Sequence, residues 1–196
     1  MPQIEKLFAL GGVSPQEVEV VAVSIGPGSF TGLRIGLTTA KTLAYAWQKP
    51  IVGVPTLEAL AYGCPAGSGW VSAMLDAQKG RVYQAMYQWR SGLLVEVAPV
   101  RIVSAEQAFQ EMAALMEPVL VVGESVREHA GLAESSGGKI FLAPEHAVMP
   151  RAAAVAFLGL RKWQAGLAVA ATELNPLYVR RPEAEELWEK RCGVSS

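Results

Sequence analysis

The sequence predicts an α/β fold arranged as two lobes, and three observations carry that expectation. Short apolar, β-branched runs alternate with segments of helical period as far as residue 62. The stretch Cys64-Pro-Ala-Gly-Ser-Gly-Trp70 is dense in turn residues and reads as a linker. Beyond it come the longer alternating runs of a β-meander, followed by helices and short buried strands. The lobes are accordingly placed at residues 1–66 and 67–196. Of the 196 residues, 51% are hydrophobic and 18% charged, so a sizeable core can form.

Ile4, Leu7 and Phe8 follow helical spacing, so the chain begins in an amphipathic helix that stops near Gly11-Gly12. Ser14-Pro15-Gln16-Glu17 has the form of a capping box with proline in the first turn, which opens a short helical turn. Val20 to Ile25 is nearly continuously apolar, the pattern of a strand buried on both faces. A helix is expected from about Ser29 to Trp47, closed by Pro50. Ile51 to Val54 reads as a second buried strand, and Thr56 is placed to cap a helix from Leu57 to Tyr62.

In the second lobe, Trp70–Leu75, Arg81–Trp89 and Leu93–Val103 read as successive strands. Ser104-Ala-Glu-Gln107 is another capping box and opens a helix through Met116. Val119–Val122 and Lys139–Leu142 are short strands, and Pro150–Gln164 is helical. A last helix, Pro182–Arg191, has glutamates in its first turn and Lys190-Arg191 in its last, the order that suits the helix dipole. Gly193 ends it. Two strands in the first lobe cannot cover each other's faces and edges, so further strands are expected beside them.

Composition excludes several function classes. No window approaches eighteen consecutive apolar residues, and Met1-Pro-Gln-Ile-Glu-Lys6 lacks the apolar stretch of a signal peptide. Cys64 and Cys192 are not in a C-x-x-C pair, against a disulfide framework or a zinc site. A cytoplasmic protein is the expectation. The net charge of −1 does not supply the basic face that holds nucleic acid, and Arg180-Arg181 is followed by Glu183, Glu185 and Glu186. Any RNA contact is therefore expected to be shared with a partner. His129 and His146 have neither H-x-x-x-H nor H-E-x-x-H spacing, so no metal is expected. A Ser–His–Asp group assembles in space rather than in sequence, and counting leaves it open.

Ala22 to Gly36 couples a strand to a glycine-rich turn and then to a helix. Gly28 and Gly32 are too close for a Walker loop, and Leu33-Arg34 stands where Lys-Ser/Thr belongs. Gly26-x-Gly28 is followed by Thr31 in the third glycine position of a dinucleotide loop, with no acid at the end of the next strand. Ser29 lacks the flanking glycines of a nucleophile elbow. Gly26, Pro27, Gly28 and Ser29 are thus read as a structural turn, with no cofactor. After it, Gly32, Gly36, Ala40 and Ala44 recur every fourth residue among Leu33, Leu37, Leu43, Tyr45 and Trp47. Such a small-residue stripe packs either on the protein's own sheet or against a partner helix, and periodicity alone favours the sheet. Asp76, Lys79 and Arg81 resemble an ion-binding group but also an ordinary turn around Gly80, and the turn is favoured.

Ser24-Ile-Gly-Pro-Gly-Ser-Phe-Thr-Gly-Leu-Arg-Ile-Gly36 resembles the signature of the TsaB (YeaZ) family. Ile51–Leu60, Asp76–Tyr83 and Pro176-Leu-Tyr-Val-Arg-Arg-Pro-Glu-Ala184 agree with it in order and spacing, so the resemblance covers essentially the whole chain. It implies the actin/hexokinase/Hsp70-like (ASKHA) fold. It also implies a non-catalytic subunit of the bacterial machinery that makes threonylcarbamoyladenosine next to the tRNA anticodon. The implied partners are the catalytic subunit TsaD, which transfers threonylcarbamoyl from its adenylate to tRNA, and the small ATPase TsaE, which joins the pair. Homodimers use much the same surface. TsaD carries metal-binding histidines that this family lacks, which agrees with the missing H-x-x-x-H. The alternatives are a glycoprotease-like peptidase and an ASKHA-type phosphotransferase.

The resemblance shifts the stripe toward partner docking, with an implied interface of Gly32, Arg34, Ile35, Gly36, Thr38, Thr39, Ala40 and Lys41, and with Pro2–Leu10 as the neighbouring helix. Arg34, Thr38 and Lys41 are its polar rim. Family chains begin with a strand carrying an Asp-Thr/Ser pair and two further strands, which have no counterpart here. A first lobe lacking its N-terminal strands is therefore expected, with Met1 an internal methionine or the gene truncated. Such a lobe would be marginally stable.

Overall fold

The computed structural model describes residues 1–67 and 69–179; the predicted helix Pro182–Arg191 and the Arg180-Arg181 pair lie outside the described residues. The architecture is mixed α/β, around two sheets. In the first, β1 (Val21–Gly26) and β2 (Ile51–Pro55) run parallel, with Val21 opposite Ile51 and Val23 opposite Gly53. The second comprises β3 (Trp70–Asp76), β4 (Arg81–Arg90), β5 (Leu93–Ser104), β6 (Val119–Val122) and β7 (Ile140–Leu142), in the order β5-β4-β3-β6-β7. The first three strands form the anticipated antiparallel meander, and β6 and β7 continue parallel to β3.

Six helices accompany the sheets among the described residues: α1 (Pro2–Gly11), α2 (Phe30–Ala46), α3 (Thr56–Tyr62), α4 (Ala105–Ala113), α5 (Ala130–Glu134) and α6 (Ala152–Gln164). α1 stops where Gly12 takes a left-handed φ of 61°. In the short turn that follows, the Glu17 carboxylate accepts hydrogen bonds from the Ser14 N–H and hydroxyl, each at 2.8 Å.

Alternation along the parallel pair puts Val21, Val23 and Ile51 on one face, where α2 lays Ala40 and Ala44. On the other face α6 sets Gly159 against Ala22, and Leu158 and Ala154 pack with Val54 and Ala59. After α6 the chain returns along the outer edge of β2, where Val169 and Ile51 exchange two backbone hydrogen bonds of 3.0 Å. The five-stranded sheet has a core on each face. Met74, Val82, Phe109 and Met112 gather under α4, and Leu57, Leu60, Val71 and Tyr87 form the layer around α3.

Several expectations change. Ile51, Val52 and Val54 of β2 are fully buried, but Val21 to Ile25 of β1 are only half-buried. The reason is that no strand lies along the second edge of β1 among the described residues. The faces of the pair are covered by α2 and α6 rather than by further strands. Thr56 does not cap α3: Pro55 holds that position, and the Thr56 hydroxyl instead lies 2.7 Å from Ser24 Oγ, tying α3 to β1. The helix opened by Ser104 ends at Ala113, and α6 begins two residues late because Arg151 is extended. The helical stretch Glu124–Glu134 was not foreseen. No helix among the described residues is long and apolar enough to cross a membrane.

Candidate functional site

β1 ends in a turn that tolerates little change. Gly26 is buried with φ 112°, and a Cβ there would lie 2.9 Å from the Leu177 carbonyl oxygen and 3.1 Å from Leu33 Cδ1. The Gly26–Pro27 peptide is cis. Ser29 caps α2, its Oγ accepting the Gly32 N–H at 3.4 Å.

The small-residue stripe does not stay on one side of α2. Each four-residue step advances about 40° around a helix, so Gly32 and Ala44 lie roughly 120° apart. Ala40 and Ala44 accordingly pack on the β1–β2 sheet, while Gly32 and Gly36 are exposed. A Cβ on Gly36 would meet no atom within 4 Å. The sheet-packing reading thus holds for Ala40 and Ala44, and Gly32 and Gly36 face solvent. Next to Gly36 the Ile35 side chain is 64% exposed, and further along α2 Tyr45 is 75% exposed. α1 buries none of its residues and leaves Leu7 and Leu10 about as bare. It is fixed to α2 where Phe8 meets Trp47 edge to face, with ring centroids 5.7 Å apart.

The polar candidates divide in the same way. The Arg34 guanidinium lies 3.9 Å over the Phe30 ring, and its Nε donates to the Tyr178 hydroxyl at 3.4 Å. Phe30 and Tyr178 themselves stack at 5.2 Å. Lys41 Nζ donates to the Leu174 carbonyl at 3.0 Å, and the Thr39 hydroxyl turns back to the Ile35 carbonyl at 2.8 Å. Gly32, Arg34, Ile35, Gly36 and Thr38 are all exposed, but helix geometry puts Arg34 and Thr38 on one flank of the open face and Gly32 and Gly36 on the other, with Ile35 between them. Ala40 is core, and Lys41 is tied to the returning segment, where Thr42, Tyr45, Ala171 and Thr172 join it around a shallow groove of about 350 Å³. Phe30 and Tyr178 were missed as site residues. The signal that pointed to Tyr178 is the Pro176-Leu177-Tyr178 motif, distant in sequence and adjacent in space.

The remaining candidates stay apart. Asp76 Oδ1 accepts the Gln78 N–H at 2.8 Å, and Gln78, Lys79 and Gly80 all take positive φ, so the Asp76–Arg81 cluster is the β3–β4 turn. His129 packs beside Phe109, whereas His146 is near Arg151, which donates to its carbonyl at 3.0 Å. Among the described residues no group of three or more His, Cys, Asp or Glu could hold a metal ion. Cys64 is buried, which pushes its thiol up to about 11.

Residues 1–188 match the family model described as TsaD: tRNA N6-adenosine threonylcarbamoyltransferase. The tRNA threonylcarbamoyladenosine biosynthesis protein TsaB of Bacillus subtilis (strain 168) is 36% identical over 189 residues, covering 96% of this chain and 81% of that protein. The Escherichia coli (strain K12) protein of the same name is 29% identical, covering 98% of this chain and 83% of its own length. A crystal structure from Pseudomonas aeruginosa, described as similar to peptidase YEAZ, superposes with a TM-score of 0.78 at 26% identity, over 91% of this chain and 82% of that one.

Proposed function

The chain belongs to the TsaB (YeaZ) family, and on that premise we propose that it is a non-catalytic partner subunit in making threonylcarbamoyladenosine in tRNA, at the adenosine next to the anticodon. It binds and supports the catalytic subunit TsaD; TsaE joins through the complex, and tRNA is reached only indirectly. A homodimer uses the same surface. The architecture is the two-lobed actin/hexokinase/Hsp70-like one, with residues 1–66 in the first lobe and 67–196 in the second.

The observation that carries this reading is the uncovered N-terminal half of α2. Gly32 and Gly36 leave its backbone open to close approach, and helices pack at 8–10 Å or so depending on the side chains at the contact. Exposed Ile35 supplies apolar area that a monomer leaves in water, and Leu7 and Leu10 of α1, near the Trp47 end of α2, are bare as well. Arg34 and Thr38 give the patch a polar rim.

The test is reconstitution. TsaD, the threonylcarbamoyl adenylate and unmodified tRNA are incubated with and without this chain, and modified adenosine is counted. Modification that needs both proteins is the expected result. Unchanged yield without the chain would contradict it. Peptide cleavage or phosphoryl transfer by the chain alone would favour the enzymatic alternatives, a peptidase or a phosphotransferase.

A further inference from the structure

Tyr178, in the Pro176-Leu177-Tyr178 motif, lies 144 positions from Arg34, yet the two meet near the start of α2. The segment leading to it is an irregular strap. Leu174 fills the space over Gly53, where a Cβ would come within 2.9 Å of its Cδ1. The Leu177 N–H donates to the Ile25 carbonyl at 2.7 Å. These contacts fix the strap against the sheet, but they leave Tyr178 42% exposed at the surface. A residue needed only to seal the strap would be turned inward.

What Tyr178 touches is Arg34 and Phe30. An arginine on an exposed helix face loses rotamer entropy when a partner immobilises it. Here the guanidinium already rests on the Phe30 ring and donates through Nε to the Tyr178 hydroxyl. The guanidinium has five N–H donors, and that contact uses one. Arginine and tyrosine are also the residue types that most often anchor protein interfaces.

We propose that Tyr178 is a positioning residue for docking: with Phe30 it holds the Arg34 guanidinium in place at the start of α2, ready for a carboxylate on the catalytic subunit. The inference rests on the docking reading given above and adds to it a residue outside the helix, and the charge its partner presents. Tyr178 acts through Arg34, so the two must be coupled.

The experiment measures affinity for purified TsaD by calorimetry, with a thermal melt of each variant. Arg34→Ala and Tyr178→Ala are each expected to weaken binding about tenfold. The double variant is expected to bind no worse than Arg34→Ala alone, because the tyrosine has no role once the guanidinium is gone. Tyr178→Phe keeps the ring stack and falls between wild type and Tyr178→Ala, with an unchanged melt. Independent, multiplying losses would overturn the proposal, as would unchanged affinity in all three single variants. Gly36→Leu is the control. If it weakens binding while the Tyr178 variants do not, positioning fails and docking stands; if it too binds normally, the docking reading fails and the positioning role falls with it.

Discussion

Gly159 of α6 sits so close to Ala22 of β1 that a Cβ on the glycine would come within 2.4 Å of the alanine Cβ. The helix backbone therefore rests directly on the strand. This contact fastens the chain after β7 to the parallel pair that carries the glycine turn. Gly159→Ala would gain about 1 kcal/mol of helix propensity against about 1–3 kcal/mol of overpacking. The expected outcome is a net loss, read as a lower midpoint in urea, and a larger loss for Gly159→Val. An unchanged midpoint would mean that α6 shifts outward freely.

A second contact of this kind is polar. Gln84 is almost fully buried in β4, and its amide oxygen accepts from Arg101 Nε at 3.2 Å and Nη2 at 2.8 Å, while its Nε2 donates to Ser72 Oγ at 3.2 Å. Arg101 is paired in turn with Glu111 on α4. Arg101→Ala leaves the buried amide oxygen without those donors, at an expected cost of about 1–3 kcal/mol in urea unfolding.

The hydrogen bond from Arg101, and then that from Gln107, hold the Glu111 carboxyl below its ordinary range. A carboxyl whose folded value is depressed stabilises the fold above its unfolded pKa and loses that contribution as pH falls through the folded value. Both side chains are 43% exposed, so screening keeps the effect below about 1 kcal/mol. Wild type is expected to exceed Glu111→Gln in stability at pH 6, with the difference closing below about pH 4. A difference that did not shrink as the pH was lowered through the carboxylate range would contradict this assignment.

Burial that raises the Cys64 thiol to about 11 also withholds it from reagents. In a Cys192→Ala background, alkylation by iodoacetamide at pH 8 is expected to be slow in the native protein and fast in guanidinium. Equal rates would show that the helix α3 end opens readily.

Much of this was legible in the sequence because it rests on local rules. The β-branched run at Ile51, the left-handed glycine at Gly12 and the meander from Trp70 to Ser104 all follow from period and turn chemistry. What escaped depends on tertiary geometry. The Gly32–Ala44 stripe reads as one face in a list of residues, but a helix of 3.6 residues per turn winds it from solvent into the core. The half-buried state of β1 depends on which neighbours it has, not on its own composition. Thr56 had the right chemistry for a cap, yet Ser24 was the nearer partner once the strands were paired. Tyr178 and Arg34 could be joined only in space.

The central claim is that the outer half of α2 is a docking surface and not part of the protein's own core. The most direct measurement is the affinity of Gly36→Leu for purified TsaD, beside its thermal midpoint. A Cβ at residue 36 meets nothing, and leucine favours a helix over glycine, so the midpoint is expected to hold or rise. Binding is expected to fall by at least about tenfold, since the side chain blocks helix approach. Wild-type affinity with an intact fold would contradict the account.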